Sequence, residues 1–245
     1  MNRFFIEKEN ITDSAAVLYG DDVKHISAVL RLRIGDEAML CDGIGMDYHA
    51  KIAAVSKAEV HFDILSSSPA LTEPRCSLTL FQGLPKAGKL ETIIQKCVEL
   101  GIIEVVPVAM ERSVVRLSKK DFGKKLERYQ RVAMEASKQS RRGVIPRVGG
   151  LIEPKEIDPA AFDALLLAYE LEGEHSIKAV LDALDSNVRR IGVIIGPEGG
   201  ISDEEAKLFA SLGAQSFSLG HRILRTETAG PAITAIIMYH MEGEA

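Results

Sequence analysis

Cysteine is scarce in this chain of 245 residues, which contains only Cys41, Cys76 and Cys97. The three are far apart and none belongs to a C-x-x-C pair, so the sequence excludes a disulfide framework and a cysteine-rich zinc site. We therefore expect no metal centre, and we expect the reducing conditions of a cytoplasmic protein.

Long apolar runs and proline are scarce as well. The longest apolar stretch near the carboxyl end, residues 235–238 with their neighbours, is far shorter than the roughly 20 residues of a membrane helix, and the amino terminus is charged throughout. With 46% hydrophobic residues, 27% charged residues and nine prolines, the composition excludes collagen and a disordered chain. We expect a soluble protein of one large or two smaller domains, with no signal peptide and no membrane span.

Charge is unevenly distributed along the chain. The net charge is −5, yet residues 112–147 contain twelve basic and three acidic residues, a net charge of +9 against −14 in the rest. We call this stretch the basic segment. A basic surface on an acidic protein indicates a local contact with a polyanion. The alternative is a solvated helix whose charges only maintain solubility.

The amino-terminal part has the pattern of short β-strands. They are predicted at residues 4–6, 16–18, 38–40, 48–55 and 60–65. The segment Asp42-Gly43-Ile44-Gly45 indicates a hairpin turn, because glycine supplies the positive φ that tight turns require. The short strands predict a small barrel. Ser66-Ser67-Ser68-Pro69 breaks the pattern, so we place the domain boundary there and predict domains 1–70 and 71–245.

From residue 71 onward, strands and helices alternate. Strands are predicted at 77–81, 102–108, 164–168, 191–195 and 215–219, and helices at 90–100, 124–139, 177–184, after Ser202 and at 228–241. Gly101 is typical of a helix C-cap, and Ser202 with Glu205 forms a capping box. The alternation predicts an α/β domain with a mostly parallel sheet covered on both faces.

The loop after residue 195 is rich in glycine. Ligands of an open parallel sheet bind beyond the carboxyl ends of its strands, so the loops after 168, 195 and 219 are the candidates. Gly196-Pro197-Glu198-Gly199-Gly200 matches neither common phosphate motif, and its carboxylate would repel phosphate. The loop favours a ligand with an adenosine, a sulfonium and an amino group over ATP or NAD. The alternative is a tight strand-to-helix turn without a ligand.

The loop after residue 219 is dense in polar side chains. Arg222, Arg225, Thr226, Glu227 and Thr228 precede an apolar helix, where such groups are costly unless a ligand or each other satisfies them. The alternative is a helix cap by Thr226 or Thr228 with Arg225 paired to Glu227, which is compatible with a catalytic role.

The same residues carry a family resemblance. Ile195-Gly196-Pro197-Glu198-Gly199-Gly200, followed by Leu219-Gly220-x-Arg222-Ile223-Leu224-Arg225-Thr226-Glu227-Thr228-Ala229, resembles the signature of the bacterial 16S ribosomal RNA uridine-N3-methyltransferases, in the SPOUT superfamily of knotted methyltransferases. The similarity extends to Arg3-Phe4-Phe5, His25, Val29-Leu30-Arg31, Gln82-Gly83-x-x-Lys86, Lys89-x-Glu91-x-x-Ile94-Gln95-Lys96, Glu99-Leu100-Gly101 and Arg112. His221 stands where the family usually has proline, which bears only on the stiffness of that turn.

The resemblance implies a PUA-like RNA-binding barrel followed by an α/β domain with a trefoil knot. It also implies S-adenosylmethionine as methyl donor, 16S rRNA of the small ribosomal subunit as substrate, and a homodimer. The residues assigned to the cofactor are Gly196, Pro197, Glu198, Gly199, Gly200, Leu219, Gly220, Ile223, Leu224 and Thr228. The residues assigned to RNA are Arg3, Arg31, Arg33, Arg112, Lys138, Arg141 and Arg142. Ala232, Ile236 and Tyr239 share a helical face available to a dimer, with burial in the monomer as the alternative.

The catalytic residues are expected to be Arg225 and Glu227. Uridine N3 carries a proton and is a weak nucleophile, so the enzyme has to align the reactants and help the proton leave. Arg225 would stabilise the negative charge that develops on the uracil carbonyls. Glu227 would either orient Arg225 or receive the proton. A rival function is a non-catalytic ribosome assembly factor that binds rRNA, against which the intact glycine loop and Arg225-Thr226-Glu227 argue.

Overall fold

The structure, a computed structural model, describes residues 1–86 and 88–242. The chain divides into two compact units, one comprising Met1–Glu73 with Ser137–Ile145 and the other Pro74–Ala136 with Pro146–Ala245. The first unit thus takes in a segment that lies more than sixty residues further along the chain. No local pattern in the sequence indicated that residues 137–145 belong to the first unit.

A buried cluster around Glu73 holds residues 137–145 in the first unit. The Arg142 side chain is 3% exposed, and its Nη2 lies 2.6 Å from Glu73 Oε2. Glu73 Oε1 accepts hydrogen bonds from the backbone N–H groups of Gly143 and Val144, at 2.8 and 3.1 Å. A buried guanidinium needs such a partner because its desolvation is otherwise uncompensated.

The first unit contains one curled five-stranded sheet, a half-barrel. Its strands are β1 Asn2–Phe5, β2 Ala15–Tyr19, β3 Glu37–Cys41, β4 Met46–Val55 and β5 Glu59–Pro69, in the order β1-β3-β4-β5-β2. Strand β1 runs parallel to β3 and the other pairs are antiparallel. A short helix, α1 Asp21–Lys24, continues into a π-helical turn at His25–Val29 that was not predicted. Alternate side chains such as Phe4, Leu40 and Phe62 form a separate core.

The predicted hairpin turn is confirmed, and the predicted break after residue 65 is wrong. Asp42 Oδ1 accepts the backbone N–H groups of Ile44 and Met46, at 2.9 and 3.0 Å, in the turn between β3 and β4. Strand β5 continues through Pro69, and its residues 66–69 pair with the start of β4. Strand β2 pairs with β5 only as far as Asp63, so the end of β5 has an open edge on which proline is tolerated.

The second unit is an α/β domain with a six-stranded sheet. Its strands are β6 Ser77–Gly83, β7 Glu104–Val108, β8 Arg147–Val148, β9 Ala164–Ala168, β10 Arg190–Ile195 and β11 Gln215–Phe217. The remaining helices of the chain are α2 Lys89–Glu99, α3 Lys119–Ser140, α4 Ile177–Asp182, α5 Asp203–Ser211 and α6 Thr226–Glu242, with 3-10 turns at Lys8–Asn10, Pro154–Glu156 and Pro159–Ala161. Every strand pair in this sheet is parallel, which confirms the predicted class. The trefoil knot stays a prediction from the resemblance.

The connections that leave β6 and β10 run to opposite sides of the sheet. The order is β11-β9-β10-β6-β7-β8, so β6 leads to β7 on one side while β10, its neighbour, leads to β11 on the other. Connections that diverge in this way open a crevice at the carboxyl ends of the two strands.

Helix α2 forms where the apolar spacing predicts it. Leu90, Ile93, Ile94, Cys97 and Val98 are all buried, and full burial of one such aliphatic side chain contributes about 1.5–3 kcal/mol. Gly101 ends this helix with a φ of 100°. Among the described residues, no helix is both long and apolar enough to cross a membrane.

Candidate active site

A cavity of about 740 Å³ opens at the carboxyl ends of β6, β9, β10 and β11. Cavities that bind cofactors have volumes of about 300–1,000 Å³. The loops after residues 168, 195 and 219 meet here, as the sequence predicted. Nine of the ten residues assigned to the cofactor line the cavity. Thr228, on the first turn of α6, does not line it.

The glycines of the loop after β10 are required by close contacts. A Cβ on Gly199 would lie 2.6 Å from the carbonyl oxygen of Arg112, and one on Gly200 would collide with the carboxylate of Glu170. Gly200 also has a φ of 73° and donates its N–H to Pro197. The loop is therefore a tight turn, as the alternative interpretation held, and it is also a wall of the cavity.

Lys89, the first residue of α2, bridges two carboxylates at this site. Its Nζ lies 3.0 Å from Glu198 Oε1, in the glycine loop, and 2.9 Å from Glu227 Oε2, in the first turn of α6. Glu198 Oε1 also accepts the backbone N–H of Lys86, at 3.1 Å. Lys86 and Lys89 line the cavity, although the sequence assigned neither to the site. The loop after β6 leaves the sheet at the same edge as the other three loops. The predicted strand at 77–81 could therefore have indicated these two lysines from the sequence.

The bridge holds all three groups in their charged forms. Hydrogen bonds with Glu227 and Glu198 raise the pKa of Lys89. Burial opposes ionisation of Glu198, but the N–H of Lys86 and the Lys89 ammonium still leave its pKa below the usual value. The Lys89 ammonium, with help from the N–H of Glu227 itself, lowers the pKa of Glu227. At neutral pH the cluster therefore holds two negative charges and one positive charge.

Gln82, near the end of β6, takes part in a second connection between the glycine loop and α6. The sequence did not assign this residue to the site. It is fully buried, and its Nε2 donates to the carbonyl of Gly83 at 3.0 Å and to Thr226 Oγ1 at 2.8 Å. Thr226 in turn donates to the carbonyl of Gly196 at 2.8 Å. The side chain of Thr226 is thus engaged by the glycine loop, so the proposed cap of α6 by this residue is wrong.

Arg225 lies at the cavity without a partner for its side chain among the described residues. Its backbone carbonyl accepts the N–H groups of Thr228 and Ala229, at 2.8 and 2.9 Å. Within residues 1–86 and 88–242, its guanidinium forms no ion pair and no hydrogen bond, and it lines the cavity. The alternative of an Arg225–Glu227 pair is wrong, since Glu227 pairs with Lys89.

The loop after β9 is held by Glu172. This carboxylate accepts the Ser216 hydroxyl at 2.5 Å and the N–H groups of Glu174 and His175 at 2.9 and 3.2 Å. These donors, the Ser216 hydroxyl first, lower the pKa of Glu172 to about 2. Glu172 fixes this wall of the cavity to β11, a role the sequence did not reveal.

Four of the seven residues assigned to RNA are engaged within the protein. Arg142 is buried against Glu73 as described above, so its assignment to RNA is wrong. Arg3 pairs with Asp47 at 2.5 Å with 15% of its side chain exposed. Lys138 pairs with Asp22 at 3.2 Å, and Arg112 Nη1 donates to the carbonyl of Ile201 at 3.2 Å.

The other three, Arg31, Arg33 and Arg141, are exposed. Arg31 and Arg141 have positive φ values of 54° and 61°, a conformation that costs an L-residue free energy and is frequent at binding sites. Of the seven residues assigned to RNA, these three arginines remain available to a polyanion.

Much of the charge of the basic segment is compensated along α3. In four pairs the cation is exposed on α3: Lys119 with Glu156, Lys124 with Asp121, Arg128 with the partly buried Glu91, and Arg131 with Glu127. Exposed pairs of this kind contribute little to stability. Lys120 and Lys125 are exposed and form no ion pair with a described residue. The solvated-helix alternative is therefore correct for part of this segment.

The outer face of α6 is open. Tyr239 is 82% exposed and Ile236 is 38% exposed, so the alternative of burial within the monomer is wrong for both. The opposite face of the helix, with Ile233 and Ile237, is fully buried.

Comparison with known proteins identifies the family. Residues 72–238 match the RNA methyltransferase domain family, and residues 18–65 match the RNA methyltransferase PUA domain. The chain is 33% identical over 250 residues to the ribosomal RNA small subunit methyltransferase E of Bacillus subtilis, covering 99% of this chain and 98% of that protein. It is 32% identical to the protein of the same name from Mesomycoplasma hyopneumoniae, covering 94% and 95% of the two chains.

A solved structure shows the same fold. The crystal structure of a ribosomal RNA small subunit methyltransferase E from Neisseria gonorrhoeae bound to S-adenosylmethionine matches with a TM-score of 0.83 and 29% identity, covering 97% of this chain and 96% of that one. The α/β domain and the curled sheet described above are thus those of a known kind of enzyme. The chain belongs to the ribosomal RNA small subunit methyltransferase E family of RNA methyltransferases.

Proposed function

We propose that this protein transfers the methyl group of S-adenosylmethionine to N3 of a uridine in 16S rRNA, and that it acts in the cytoplasm as a homodimer. Family membership supports an enzyme acting on RNA of the small ribosomal subunit. The observation that carries the proposal is the unpaired Arg225 guanidinium, which lines the same cavity as the glycine loop.

The cavity suits S-adenosylmethionine better than a nucleotide phosphate. Its glycine loop carries Glu198, and Glu170 lies against Gly200 without an ion-pair partner in the described chain. Carboxylates favour a cation and repel phosphate. When bound, S-adenosylmethionine supplies a methyl group on a positively charged sulfur. The residues that would hold it are those of the loops after β9, β10 and β11.

Arg225 is assigned to the stabilisation of charge on the uracil. Loss of the N3 proton spreads negative charge onto the two neighbouring carbonyl oxygens, and a guanidinium presents several donors in a fixed plane. Because Arg225 has no partner in the described chain, it is free to turn its donors to these oxygens. A donor arranged in advance stabilises the transition state without reorganisation.

Glu227 fits the orienting role better than the proton-accepting role. Its pKa is lowered by the Lys89 ammonium, so its carboxylate is a weak base at neutral pH. It also attracts Arg225 electrostatically. We therefore assign Glu227 to the orientation of Arg225.

We assign the exposed arginines to contacts with RNA and the open face of α6 to the dimer interface. Arg31, Arg33 and Arg141 would contact RNA phosphates in the proposed complex. Ile236 and Tyr239 would contact the second subunit, because exposed aliphatic and aromatic side chains on one helix face are typical of interfaces. An active monomer, detected by light scattering at the assay concentration, would contradict the dimer.

Mass spectrometry of rRNA nucleosides tests the proposed function. N3-methyluridine should disappear from 16S rRNA when the gene is deleted and return when it is restored. An unchanged content of N3-methyluridine would refute it. Calorimetric titration with S-adenosylmethionine then separates the enzyme from the rival, a ribosome assembly factor that binds rRNA without the cofactor.

A further inference from the structure

One lysine at the site contacts two acidic residues that belong to different parts of the fold. Lys89 lies at the start of α2, Glu198 in the loop after β10, and Glu227 in the first turn of α6. Both carboxylate oxygens lie within 3.0 Å of the same nitrogen. About three quarters of the Lys89 side chain is shielded from solvent, so its contacts are weakened less by water than those of a surface pair.

Among residues 1–86 and 88–242, the two carboxylates have no other cation within hydrogen-bond distance. Glu198 Oε1 also accepts a hydrogen bond from the backbone N–H of Lys86. Glu198 Oε2 is buried and has no hydrogen-bond partner among the described residues. Without the ammonium, two carboxylates of like charge would face each other, and repulsion would separate the glycine loop from α6.

A neutral hydrogen-bond relay joins the same loop and the same helix one residue away. Gln82 donates to Thr226, and Thr226 donates to the carbonyl of Gly196. The hydroxyl of Thr226 is the acceptor of one bond and the donor of the other, which also sets the orientation of the Gln82 amide. The relay and the Lys89 bridge therefore both join the glycine loop to the two residues that follow Arg225.

We propose that Lys89 is a positioning residue whose ammonium ties the glycine loop to the first turn of α6 and thereby sets the direction of Arg225 relative to the cofactor wall. The inference rests on the proposed function, in which the glycine loop holds the methyl donor and Arg225 acts on the uracil. Lys89 acts through Glu198 and Glu227 and touches neither reactant.

The charges around Glu227 indicate what removal of Lys89 would change. They are Lys89 from α2, Glu198 from the loop after β10, and Arg225 from the residues just before it. Removing the ammonium leaves Arg225 as the remaining cation that lowers the pKa of Glu227, and it leaves Glu198 without an ion-pair partner among the described residues. An opposite charge at this distance lowers a carboxyl pKa by about one to three pH units. The acid limb of the rate profile should therefore move to higher pH.

The test compares Lys89→Met, Lys89→Gln and Lys89→Arg with the wild-type enzyme in single-turnover methylation of small ribosomal subunits. Misplacement of a catalytic group by about 1 Å costs on the order of 100-fold in rate. We expect Lys89→Met and Lys89→Gln to lower kcat by about 10- to 100-fold, to raise the KM for S-adenosylmethionine, and to shift the acid limb upward. Lys89→Arg keeps a cation and should recover most of the rate.

Lys96→Met is the matched control, because Lys96 lies two turns further along the same helix and, in the described part of the chain, pairs only with Glu99. It should leave the rate and the pH profile unchanged, and all variants should melt close to the wild-type temperature. Wild-type kcat and pH profile in both neutral Lys89 variants would overturn the proposal, as would an equal loss in Lys96→Met or a loss that follows the unfolded fraction. Inactivity of the wild-type enzyme would instead refute the proposed function.

Discussion

Substitution of Arg225 by alanine isolates the chemical step from folding and cofactor binding. The side chain is exposed and has no partner in the described part of the chain, so its removal leaves no buried group unsatisfied. Changes of this kind usually alter the free energy of unfolding by about 0.5 kcal/mol or less. The loss of one preorganised donor for developing charge, by contrast, costs about 100- to 1,000-fold in rate, or about 2.7–4 kcal/mol of transition-state stabilisation.

Single-turnover methylation with saturating RNA and S-adenosylmethionine is the assay, since it separates chemistry from binding and product release. Arg225→Ala should lose rate by the factor above, while calorimetry shows little change in the affinity for S-adenosylmethionine. Arg225→Lys keeps the charge but not the planar donors, so its rate should be intermediate. Wild-type turnover of Arg225→Ala would refute the assignment, and Glu227 would be the next residue to test.

Arg141→Glu should weaken RNA binding and reduce its salt dependence while the affinity for S-adenosylmethionine is unchanged, as a filter-binding salt titration would show; unchanged RNA affinity would mean that this surface is only solvated. Arg142→Ala should lower stability to urea by about 3–5 kcal/mol, because it leaves Glu73 without its buried partner, and a loss below about 1 kcal/mol would contradict a buried ion pair. Glu172→Gln should be less stable than the wild type at pH 7, because the lowered pKa of Glu172 stabilises the folded state above the usual value of 4.5; this difference should diminish as the pH falls from 4.5 and vanish near 2. ATP should not compete with S-adenosylmethionine in calorimetry, because the glycine loop carries a carboxylate.

Local sequence patterns predicted most of the elements of the second unit. The apolar spacing of α2, with Leu90 and Ile94 on its buried face, follows from helical periodicity alone. The capping box of Ser202 and Glu205 is present with both of its hydrogen bonds. The alternation of strands and helices predicted a parallel sheet, and that prediction in turn located the loops that meet at the cavity. Each of these inferences depends on neighbours within a few residues, or on a rule that applies to all sheets of this class.

The tertiary structure decided which distant charges meet. The sequence placed Arg142 with Arg141 as a basic pair, but the fold buries Arg142 against Glu73 and leaves Arg141 exposed. It also brought Lys89 between Glu198 and Glu227. Hydrophobic periodicity specifies which face of an element is buried, but it contains no information on the partner that covers it. Ion pairs between residues more than a hundred positions apart depend on the packing of whole elements. Only the folded chain determines that packing.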